Sequence, residues 1–401
     1  MNIMFLTLVK INTLKERGIY QDLMREFSQH GHYLYIVSPV ERCENQETKV
    51  KKEGNTVFLN VKTLNIQKTN FIEKGISTLT IDKLFLRAIN KHLSDVKFDL
   101  IIYATPPITF TNLIKYIKKR DQAKTYLLLK DIFPQNAVDM QLMSKKGLLY
   151  NYFRNKEKEL YLISDKIGCM SDANLKFVME HNPFIPKEKL EVNPNAIELL
   201  PLNKEIVYQY KEIHARYGIP ENRKIFIYGG NLGKPQGIDF VIETLKAKAE
   251  DDRLFFVIVG SGTEFGRMRK WFDTFRPKNA LLLSAIPKTD YDLLVQSCDV
   301  GLIFLHKDFT IPNYPSRLLS YLEFKLPVLT ATDSCTDIGT DVVKNNCGIA
   351  VDSANLQEMI KAIDKFVEMD TKDFEEMREN SRRFLEREFQ VQQSYDKIIN
   401  A

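Results

Sequence analysis

The segment YGGNLGKPQG, from Tyr228 to Gly237, directly follows the apolar run KIFI, from Lys224 to Ile227. A short apolar run that ends in closely spaced glycines predicts a buried β-strand, a tight turn and then a helix. Glycine amides in such a turn can approach an anion closely, and the following helix adds the positive end of its dipole. Two interpretations are open at this point, a phosphate-binding turn and a bend that serves only the packing of strand and helix.

The same alternation of apolar runs and helical patterns extends over the whole chain. The apolar runs lie at Ile3–Val9, Tyr33–Val37, Leu100–Ala104, Thr125–Leu129, Lys166–Met170, Lys189–Asn193, Lys224–Tyr228, Leu254–Val259, Ala280–Ser284, Val300–Leu305 and Pro327–Thr330. Such an alternation is typical of parallel sheets that are covered by helices on both faces. Because a single hydrophobic core stops growing at about 250 to 300 residues, the 401 residues predict two α/β domains.

The boundary between the two domains is expected where the periodicity breaks down. The segment VNPNAIELLPLN, residues 192–203, holds two prolines and no clean pattern. We therefore predict a first Rossmann-like domain at residues 1–198, a second at residues 199–380, and a helical C-terminal segment at residues 381–401.

Composition and cysteine usage predict a cytoplasmic protein. The chain is 44% hydrophobic and 27% charged, and no run approaches the roughly 18 uncharged apolar residues that span a bilayer. The opening NIMFLTLV lacks the basic flank and the small-residue cleavage site of a signal peptide. Five scattered cysteines without a C-x-x-C pair fit reduced thiols and predict no zinc site. Nucleic acid is not expected among the partners.

Positive charge is concentrated in the first half of the chain, which is the half expected to approach an anionic surface. Residues 1–200 carry 30 Lys and Arg against 22 Asp and Glu. In this half a stripe of apolar residues at helical spacing is opposed by mostly basic ones, namely Ile81, Leu84, Phe85, Ala88 and Ile89 against Asp82, Lys83, Arg87 and Lys91. The stripe fits either a helix that packs on the core or a basic amphipathic helix that rests on a membrane.

Two glycine-rich strand ends in the second half are candidates for a ligand site. In open α/β sheets, ligands bind beyond the carboxyl ends of the strands. Lys234, in the opening segment, supplies a mobile cation there. The segment VIVGSGTEFG, residues 257–266, contains Gly260 but has Phe265 where a dinucleotide-binding motif has its third glycine. A structural turn is therefore favoured over pyrophosphate binding at this second segment.

Polar residues that follow other predicted strands extend the candidate site. In PNYPSRLLSYLEFKLPVLTA, residues 312–331, Ser316 and Arg317 stand at a helix start, where amides and a guanidinium can grip a diphosphate. In the first half, Asp131 follows a strand end within LLLKDIFPQNAV, and Gly18 follows the first strand. Read alone, Asp131 also fits a turn or capping residue.

In their order and spacing, these segments resemble a glycosyltransferase of the GT-B fold, in particular of family 4. The resemblance covers nearly the whole chain and rests on Gly31-His32, DIFP (131–134), PNAIE (194–198), YGGNLGKPQGIDFVIETL (228–245), VIVGSGTE (257–264), SAIPKTDYDLLVQSCDVGLI (284–303), PSRLLSYLEFKLPVL (315–329) and CGIAVDSANLQEMIKAI (347–363). The DIFP segment resembles a D-L-W-P motif of a bacterial subgroup that transfers acetamido sugars, such as N-acetylfucosamine, in capsule and O-antigen assembly.

The resemblance implies a fold and an activity. The fold is two Rossmann-like αβα domains that face each other across a cleft, with a C-terminal helix that crosses back to the first domain. The second domain would hold a nucleotide-sugar donor, UDP-linked, and the first would hold an undecaprenyl-pyrophosphate-linked saccharide acceptor at the inner membrane surface. Such enzymes are hexosyltransferases that retain the anomeric configuration and need no metal or other cofactor.

This chain departs from the family pattern at the donor site. Counted back from the strand that starts at Pro327, the two glutamates of the usual E-x7-E motif fall on Pro312 and Ser320, so the ribose contact passes to Ser320 or Glu323. The usual Arg and Lys of the glycine-rich turn fall on Asn231 and Gln236. Positive charge for the diphosphate would then come from Lys234 and Arg317.

The resemblance thus implies a set of site residues. The catalytic residues are Asp131, Lys234 and Arg317, and the substrate-binding residues are Gly18, Gly229, Gly230, Asn231, Gly260, Ile286, Ser316, Ser320 and Glu323. Two alternatives stay open: a nucleotide-sugar 2-epimerase of the same fold, and a non-catalytic sugar-nucleotide-binding subunit that activates a partner transferase.

Overall fold

The computed structural model describes residues 1–66, 71–201 and 207–401. The chain divides into two compact units, one of Met1–Glu198 together with Val391–Ala401, the other of Leu199–Gln390. The sequence predicts a C-terminal segment from residue 381, whereas residues 381–390 belong to the second unit and only Val391–Ala401 belong to the first.

The first unit is built on a mostly parallel sheet. Its strands are β1 (Asn2–Leu6), β2 (Tyr33–Glu41), β3 (Lys49–Glu53), β4 (Thr56–Thr63), β5 (Leu100–Ala104), β6 (Lys124–Leu129), β7 (Lys166–Cys169) and β8 (Leu190–Val192). Its helices up to residue 198 are α1 (Ile19–Gln29), α2 (Phe71–His92), α3 (Thr111–Asp121), α4 (Gln135–Asp139), α5 (Leu148–Ile163) and α6 (Asp172–His181). The strand order is β3-β4-β2-β1-β5-β6-β7-β8, and β3 is antiparallel to β4. Strands covered on both faces must be apolar throughout, as in β5, which is buried over its whole length.

The second unit repeats the architecture with a parallel sheet. Its strands are β9 (Lys224–Asn231), β10 (Leu254–Ser261), β11 (Ala280–Leu283), β12 (Val300–Phe304), β13 (Val328–Thr332) and β14 (Gly348–Asp352). Its helices are α7 (Val207–Tyr217), α8 (Ile238–Ala247), α9 (Phe265–Phe275), α10 (Lys288–Gln296), α11 (Arg317–Glu323), α12 (Ile338–Lys344), α13 (Leu356–Glu368) and α14 (Thr371–Glu388). The strand order β11-β10-β9-β12-β13-β14 places β9, which carries the glycine-rich turn, in the middle of the sheet.

The apolar stripe of α2 packs on the core of the first unit. Ile81, Phe85 and Ile89 are at most 1% exposed, and α2 contacts β4 and α3. Asp82 is also buried, and its Oδ1 accepts a hydrogen bond of 2.9 Å from the Leu113 amide. The core-helix interpretation is confirmed, and the interpretation of this stripe as a membrane-resting face is wrong. Within the described ranges, no helix is long and apolar enough to cross a bilayer.

The last helix, α15 (Val391–Ile399), packs on α1 of the first unit. The ring of Tyr395 lies 4.7 Å from that of Phe27 in an edge-on arrangement, and its hydroxyl is 3.0 Å from Nε2 of His32. Val391 starts the helix with an amide that donates to the carbonyl of Ile197. These contacts explain why the end of the chain belongs to the first unit.

Candidate active site

The glycine-rich turn at the carboxyl end of β9 depends on close backbone packing against β10. Gly230 has a φ of 126°, a conformation that side-chain-bearing residues rarely adopt. A Cβ atom on Gly260 would lie 1.8 Å from the carbonyl oxygen of Gly230. The absence of a side chain at Gly260 therefore lets the two strand ends approach, which is the structural turn that the sequence favoured for this segment.

Gly229 is surrounded by two tyrosines, which changes the role expected of its amide. A Cβ atom on Gly229 would lie 2.0 Å from the hydroxyl of Tyr291. The Gly229 amide donates a 3.2 Å hydrogen bond to the hydroxyl of Tyr321. We expected this amide to face a diphosphate directly. This expectation is corrected, because the Gly229 amide already donates its hydrogen bond to the Tyr321 hydroxyl within the protein.

The residues that replace the usual cations bind each other. Nδ2 of Asn231 donates to Oε1 of Gln236 over 2.9 Å, and the Gly233 amide donates to the same oxygen over 3.2 Å. This pair closes the turn, which continues through a short 3-10 segment into α8 at Gly237. Lys234 lies in that segment with an exposed side chain. The turn itself thus brings one exposed cation and a neutral amide pair.

Arg317, from a different part of the unit, supplies the cation that this turn lacks. The Arg317 side chain starts α11, and its guanidinium carbon lies 4.4 Å from the centroid of the Tyr228 ring. A Cβ atom on Gly230 would lie 3.6 Å from Nη2 of Arg317. Within the described part of the chain, Nη1 of Arg317 is buried and has no hydrogen-bond partner. A buried guanidinium nitrogen with no partner is costly unless an anion or water satisfies it.

Three tyrosines form the surroundings of this guanidinium. Burial raises the pKa of the phenol groups of Tyr228, Tyr291 and Tyr321 above the ordinary value. All three are therefore neutral at physiological pH, and none supplies a phenolate to neutralise Arg317. Tyr321 lies one helical turn after Arg317, and its hydroxyl is within 3.3 Å of the carbonyl oxygens of Ile227 and Leu302.

Sequence reasoning missed these tyrosines as site residues. The available signals were the position of Tyr228 at the end of its apolar run and the spacing of four residues between Arg317 and Tyr321. Tyr291 gave no signal, since it approaches Gly229 only through the packing of α10.

The remaining donor-site candidates differ in their burial and in their position along the chain relative to Arg317. Ser316 is exposed and directly precedes α11, and Ser320 is half-buried one turn along it. Glu323 is 3% exposed and ends the helix, about 9 Å from Arg317 along the axis at 1.5 Å per residue. Ile286 is half-buried in the loop before α10. The geometry thus favours Ser320 over Glu323 as a neighbour of the guanidinium.

Asp131 lies just after the carboxyl end of β6 in the first unit, where it is hydrogen-bonded to Asn136 and Thr105. Nδ2 of Asn136 donates to Oδ1 of Asp131 over 2.8 Å. The Thr105 hydroxyl donates to the Asp131 carbonyl and accepts from its amide. Burial raises the pKa of the Asp131 carboxyl to about 6, against the lowering effect of Asn136. A carboxyl that titrates near neutrality can accept a proton from a substrate hydroxyl.

Lys130 stands beside Asp131 and was missed by the sequence analysis. Its Nζ is 3.4 Å from the carbonyl of Asn193, and burial lowers its pKa to about 7. Gly18 lies in the same unit, where its amide donates to Oδ1 of Asp22 at the start of α1. Within the described ranges, no group of three His, Cys, Asp or Glu side chains could hold a metal ion.

Comparison with known proteins connects this site to a class of enzyme. Residues 209–384, which contain the whole Arg317 site, match the family model of the glycosyl transferases group 1. "Probable glycosyltransferase WbjE" of Pseudomonas aeruginosa is 19% identical over 305 residues, 76% of this chain and 74% of that protein. "Putative colanic acid biosynthesis glycosyl transferase WcaI" of Escherichia coli strain K12 is 23% identical over 260 residues, 64% of this chain and 62% of that protein.

Solved structures share the fold over the full length of the chain. An E. coli structure described as trehalose-6-phosphate bound with UDP-2-fluoro glucose has a TM-score of 0.74 at 10% identity and covers 100% of this chain and 98% of its own. Anabaena Alr3699/HepE in complex with UDP-glucose gives 0.70 at 13%, with 100% and 98% covered. WaaG, a glycosyltransferase involved in lipopolysaccharide biosynthesis, gives 0.67 at 14%, with both chains fully covered. The α/β fold is therefore GT-B, and the chain is a glycosyltransferase.

Proposed function

We propose that this enzyme transfers an acetamido sugar, with retention of configuration, from a UDP-linked donor to a lipid-linked saccharide in the assembly of a capsule or O-antigen polysaccharide. The observation that carries the proposal is the buried, unpartnered Nη1 of Arg317 beside the glycine-rich turn. A diphosphate is the anion that this arrangement fits, because its oxygens can accept from the planar guanidinium at two points.

The leaving group of the reaction is the donor diphosphate. As the bond from the anomeric carbon to the phosphate oxygen breaks, negative charge grows on that oxygen, and a preorganised cation stabilises the charge. Arg317 would hold this position, with the exposed Lys234 as a second cation. In this proposal no metal or other cofactor takes part, since the guanidinium does the work of charge neutralisation.

The acceptor hydroxyl forms the new bond to the anomeric carbon and loses its proton. Asp131 would orient this hydroxyl and, in its ionised form above pH about 6, is able to accept the proton. In a retaining reaction the leaving phosphate can take the proton itself, and Asp131 then serves only to orient. Lys130 next to it, whose pKa burial lowers to about 7, would add a hydrogen-bond donor for the saccharide in either protonation state.

The relatives support the nucleotide of the donor and a role in polysaccharide biosynthesis. Two of the matched structures hold UDP-glucose or UDP-2-fluoro glucose, which favours UDP as the nucleotide. WcaI carries colanic acid biosynthesis in its name, and WaaG is involved in lipopolysaccharide biosynthesis. Both names are consistent with a role in polysaccharide assembly. The lipid-linked acceptor and the place of the enzyme at the cytoplasmic face of the membrane rest on the sequence resemblance. The acetamido sugar rests on the sequence resemblance of the DIFP segment.

Two measurements test the proposal. Calorimetric titration with UDP, GDP and dTDP should give saturable binding of UDP in the presence of EDTA. Mass spectrometry of a reaction with UDP-N-acetyl sugars and a pyrophosphate-linked saccharide should then show a product enlarged by one acetamido sugar, and NMR of that product should show the anomeric configuration of the donor. If the protein binds UDP but forms no product with any acceptor tested, the proposed donor and acceptor are wrong. If it converts the UDP-sugar in the absence of an acceptor, the activity is that of an epimerase.

A further inference from the structure

The start of α5 exposes a cluster of apolar side chains on the first unit. Leu148 is 89% exposed, Leu142 57%, Leu149 56% and Tyr152 39%. Single exposed leucines are common on soluble proteins, but several within eleven residues mark an interaction surface. Leu148 and Tyr152 are four residues apart on the helix, so they share one face.

The rest of α5 is firmly packed, so this exposure belongs to a rigid element. Phe153, Glu157, Leu160 and Tyr161 are buried. The Tyr161 hydroxyl donates to Oε1 of Glu157 over 2.8 Å. The helix therefore turns one face into the unit along its length. The exposed apolar side chains cluster at its first turns and in the segment just before it, whereas at its other end Leu162 is exposed singly.

Basic residues accompany these leucines. Lys145 and Lys146 lie between Leu142 and Leu148 with exposed side chains. No Asp or Glu occurs from residue 140 to residue 156, and neither lysine has an ion-pair partner among the described residues. Apolar side chains flanked by unpaired lysines complement the boundary of an anionic bilayer, where leucine and tyrosine enter the acyl region and ammonium groups meet phosphates.

The cluster lies at the edge of the sheet that carries Asp131. The C-terminal end of α5 is fixed next to the start of β6, since the amide of Asp165 donates to the carbonyl of Thr125. The helix of 16 residues is about 24 Å long, so its first turn lies at the opposite, carboxyl end of β6. Asp131 follows that same end.

We propose that Leu142, Lys145, Lys146, Leu148, Leu149 and Tyr152, the leucine–lysine surface, dock on the face of an anionic phospholipid bilayer. The inference rests on the proposed function in that a lipid-linked acceptor would reach Asp131 from the membrane on which this surface sits. It differs from the membrane role first considered for α2, whose apolar stripe is buried.

Vesicle sedimentation tests the proposal. The wild-type chain should pellet with vesicles of phosphatidylglycerol and phosphatidylethanolamine at low salt, and not with phosphatidylcholine vesicles. Substitution of both Leu148→Glu and Leu149→Glu should abolish pelleting. Each basic residue near an anionic membrane contributes about 1 kcal/mol to binding. The double variant Lys145→Ala with Lys146→Ala should therefore lose about thirty-fold in partitioning into the vesicles.

Matched controls separate this surface from general stickiness. Leu162→Glu changes a leucine that is 56% exposed at the other end of the same helix, and Lys83→Ala with Lys91→Ala removes two exposed lysines of α2. Both controls should pellet as the wild type does. Equal losses in test and control variants, or no pelleting of the wild type, would overturn the proposal. Unchanged melting temperatures verify that the variants fold.

Two further readouts distinguish the possible failures. Sedimentation velocity reports self-association. If the wild type forms a dimer that Leu148→Glu dissociates, and does not bind vesicles, the surface contacts a second copy of the chain and the proposal is overturned. UDP binding should be equal in all variants. Vesicle binding without sugar transfer would support the membrane-docking surface and reject the proposed function. Sugar transfer to a lipid-linked acceptor without vesicle binding would support the proposed function and reject the membrane-docking surface.

Discussion

The carboxyl edges of the two sheets carry opposite kinds of chemistry. In the second unit, Arg317 presents a permanent positive charge among neutral tyrosines. In the first unit, burial moves Asp131 and Lys130 toward neutrality, with pKa values of about 6 and about 7. A permanent cation suits a permanently charged ligand such as a diphosphate, whereas groups that titrate near pH 7 suit the proton movements of a hydroxyl. The two units are alike in fold and differ in what burial does to their charges.

The largest effect is expected at the permanent charge. Arg317→Ala removes the only charged group in the shell formed by Arg317 and the three tyrosines, so kcat/KM should fall by about 10²- to 10³-fold and UDP affinity by roughly tenfold or more. Arg317→Lys keeps the charge without the planar fork and should give an intermediate loss. Calorimetry and initial rates measure both effects.

The control for this prediction is Arg383→Ala, an exposed arginine on α14. It should leave both quantities as they are. Wild-type UDP affinity in Arg317→Ala would remove Arg317 from the donor site. A sharper version restores a cation at the turn, since Asn231→Arg in the Arg317→Ala background should recover part of the binding if the two residues serve the same diphosphate.

The next effect, of similar or smaller size, is expected at Asp131 in the first unit, where activity should depend on pH. Asp131→Asn keeps an oxygen for the Asn136 amide but no proton acceptor, so kcat should fall by about 10²-fold with UDP binding unchanged. The wild-type kcat/KM should decline as the pH falls through about 6, because the raised pKa leaves the carboxyl protonated below that value. The acidic limb should be missing in the variant. Near wild-type turnover of Asp131→Asn would assign the carboxylate to turn structure instead.

The fold could be predicted from sequence where burial leaves a pattern. Apolar runs located the strands that are covered on both faces, such as β5 and β9, because such strands must be apolar throughout. The hairpin of β3 and β4 was missed. β3 reads KVKKE and is largely exposed at the edge of the sheet, so lysines that protect an edge strand gave it the composition of a loop.

The site could be predicted only in part, for a physical reason. Arg317 and the glycine-rich turn were singled out by residue type and by their place at strand and helix ends. Their contact joins residues 89 positions apart, Tyr228 and Arg317, and depends on how α11 packs on β9 and β12. The occupation of the Gly229 amide by Tyr321 follows from the same packing, which no local pattern contains.

A third prediction separates glycines that serve packing from those that serve binding. Gly260→Ala places a methyl group against the Gly230 carbonyl, a backbone atom that cannot step aside, so the free energy of unfolding should fall by about 1–3 kcal/mol. Gly266→Ala is the matched control, because nothing lies within 4 Å of its added Cβ in α9. Urea unfolding measures both. Equal stability of the two variants would show that the strand ends do not need this approach.

The smallest effect is expected from loss of the Tyr321 hydroxyl, which connects α11, the helix of Arg317, to the Gly229 amide in β9. Tyr321→Phe leaves the ring packed against Gly301 but removes the hydrogen-bond partner of the Gly229 amide. The free energy of unfolding should fall by about 1 kcal/mol, the lower end of the cost of leaving a buried amide without its partner. UDP affinity should change less than in Arg317→Ala, because the guanidinium stays in place. If Tyr321→Phe instead weakened UDP binding as strongly as loss of Arg317, the hydroxyl itself would be a ligand contact, and the second edge would owe its anion affinity to tyrosine as well as to arginine.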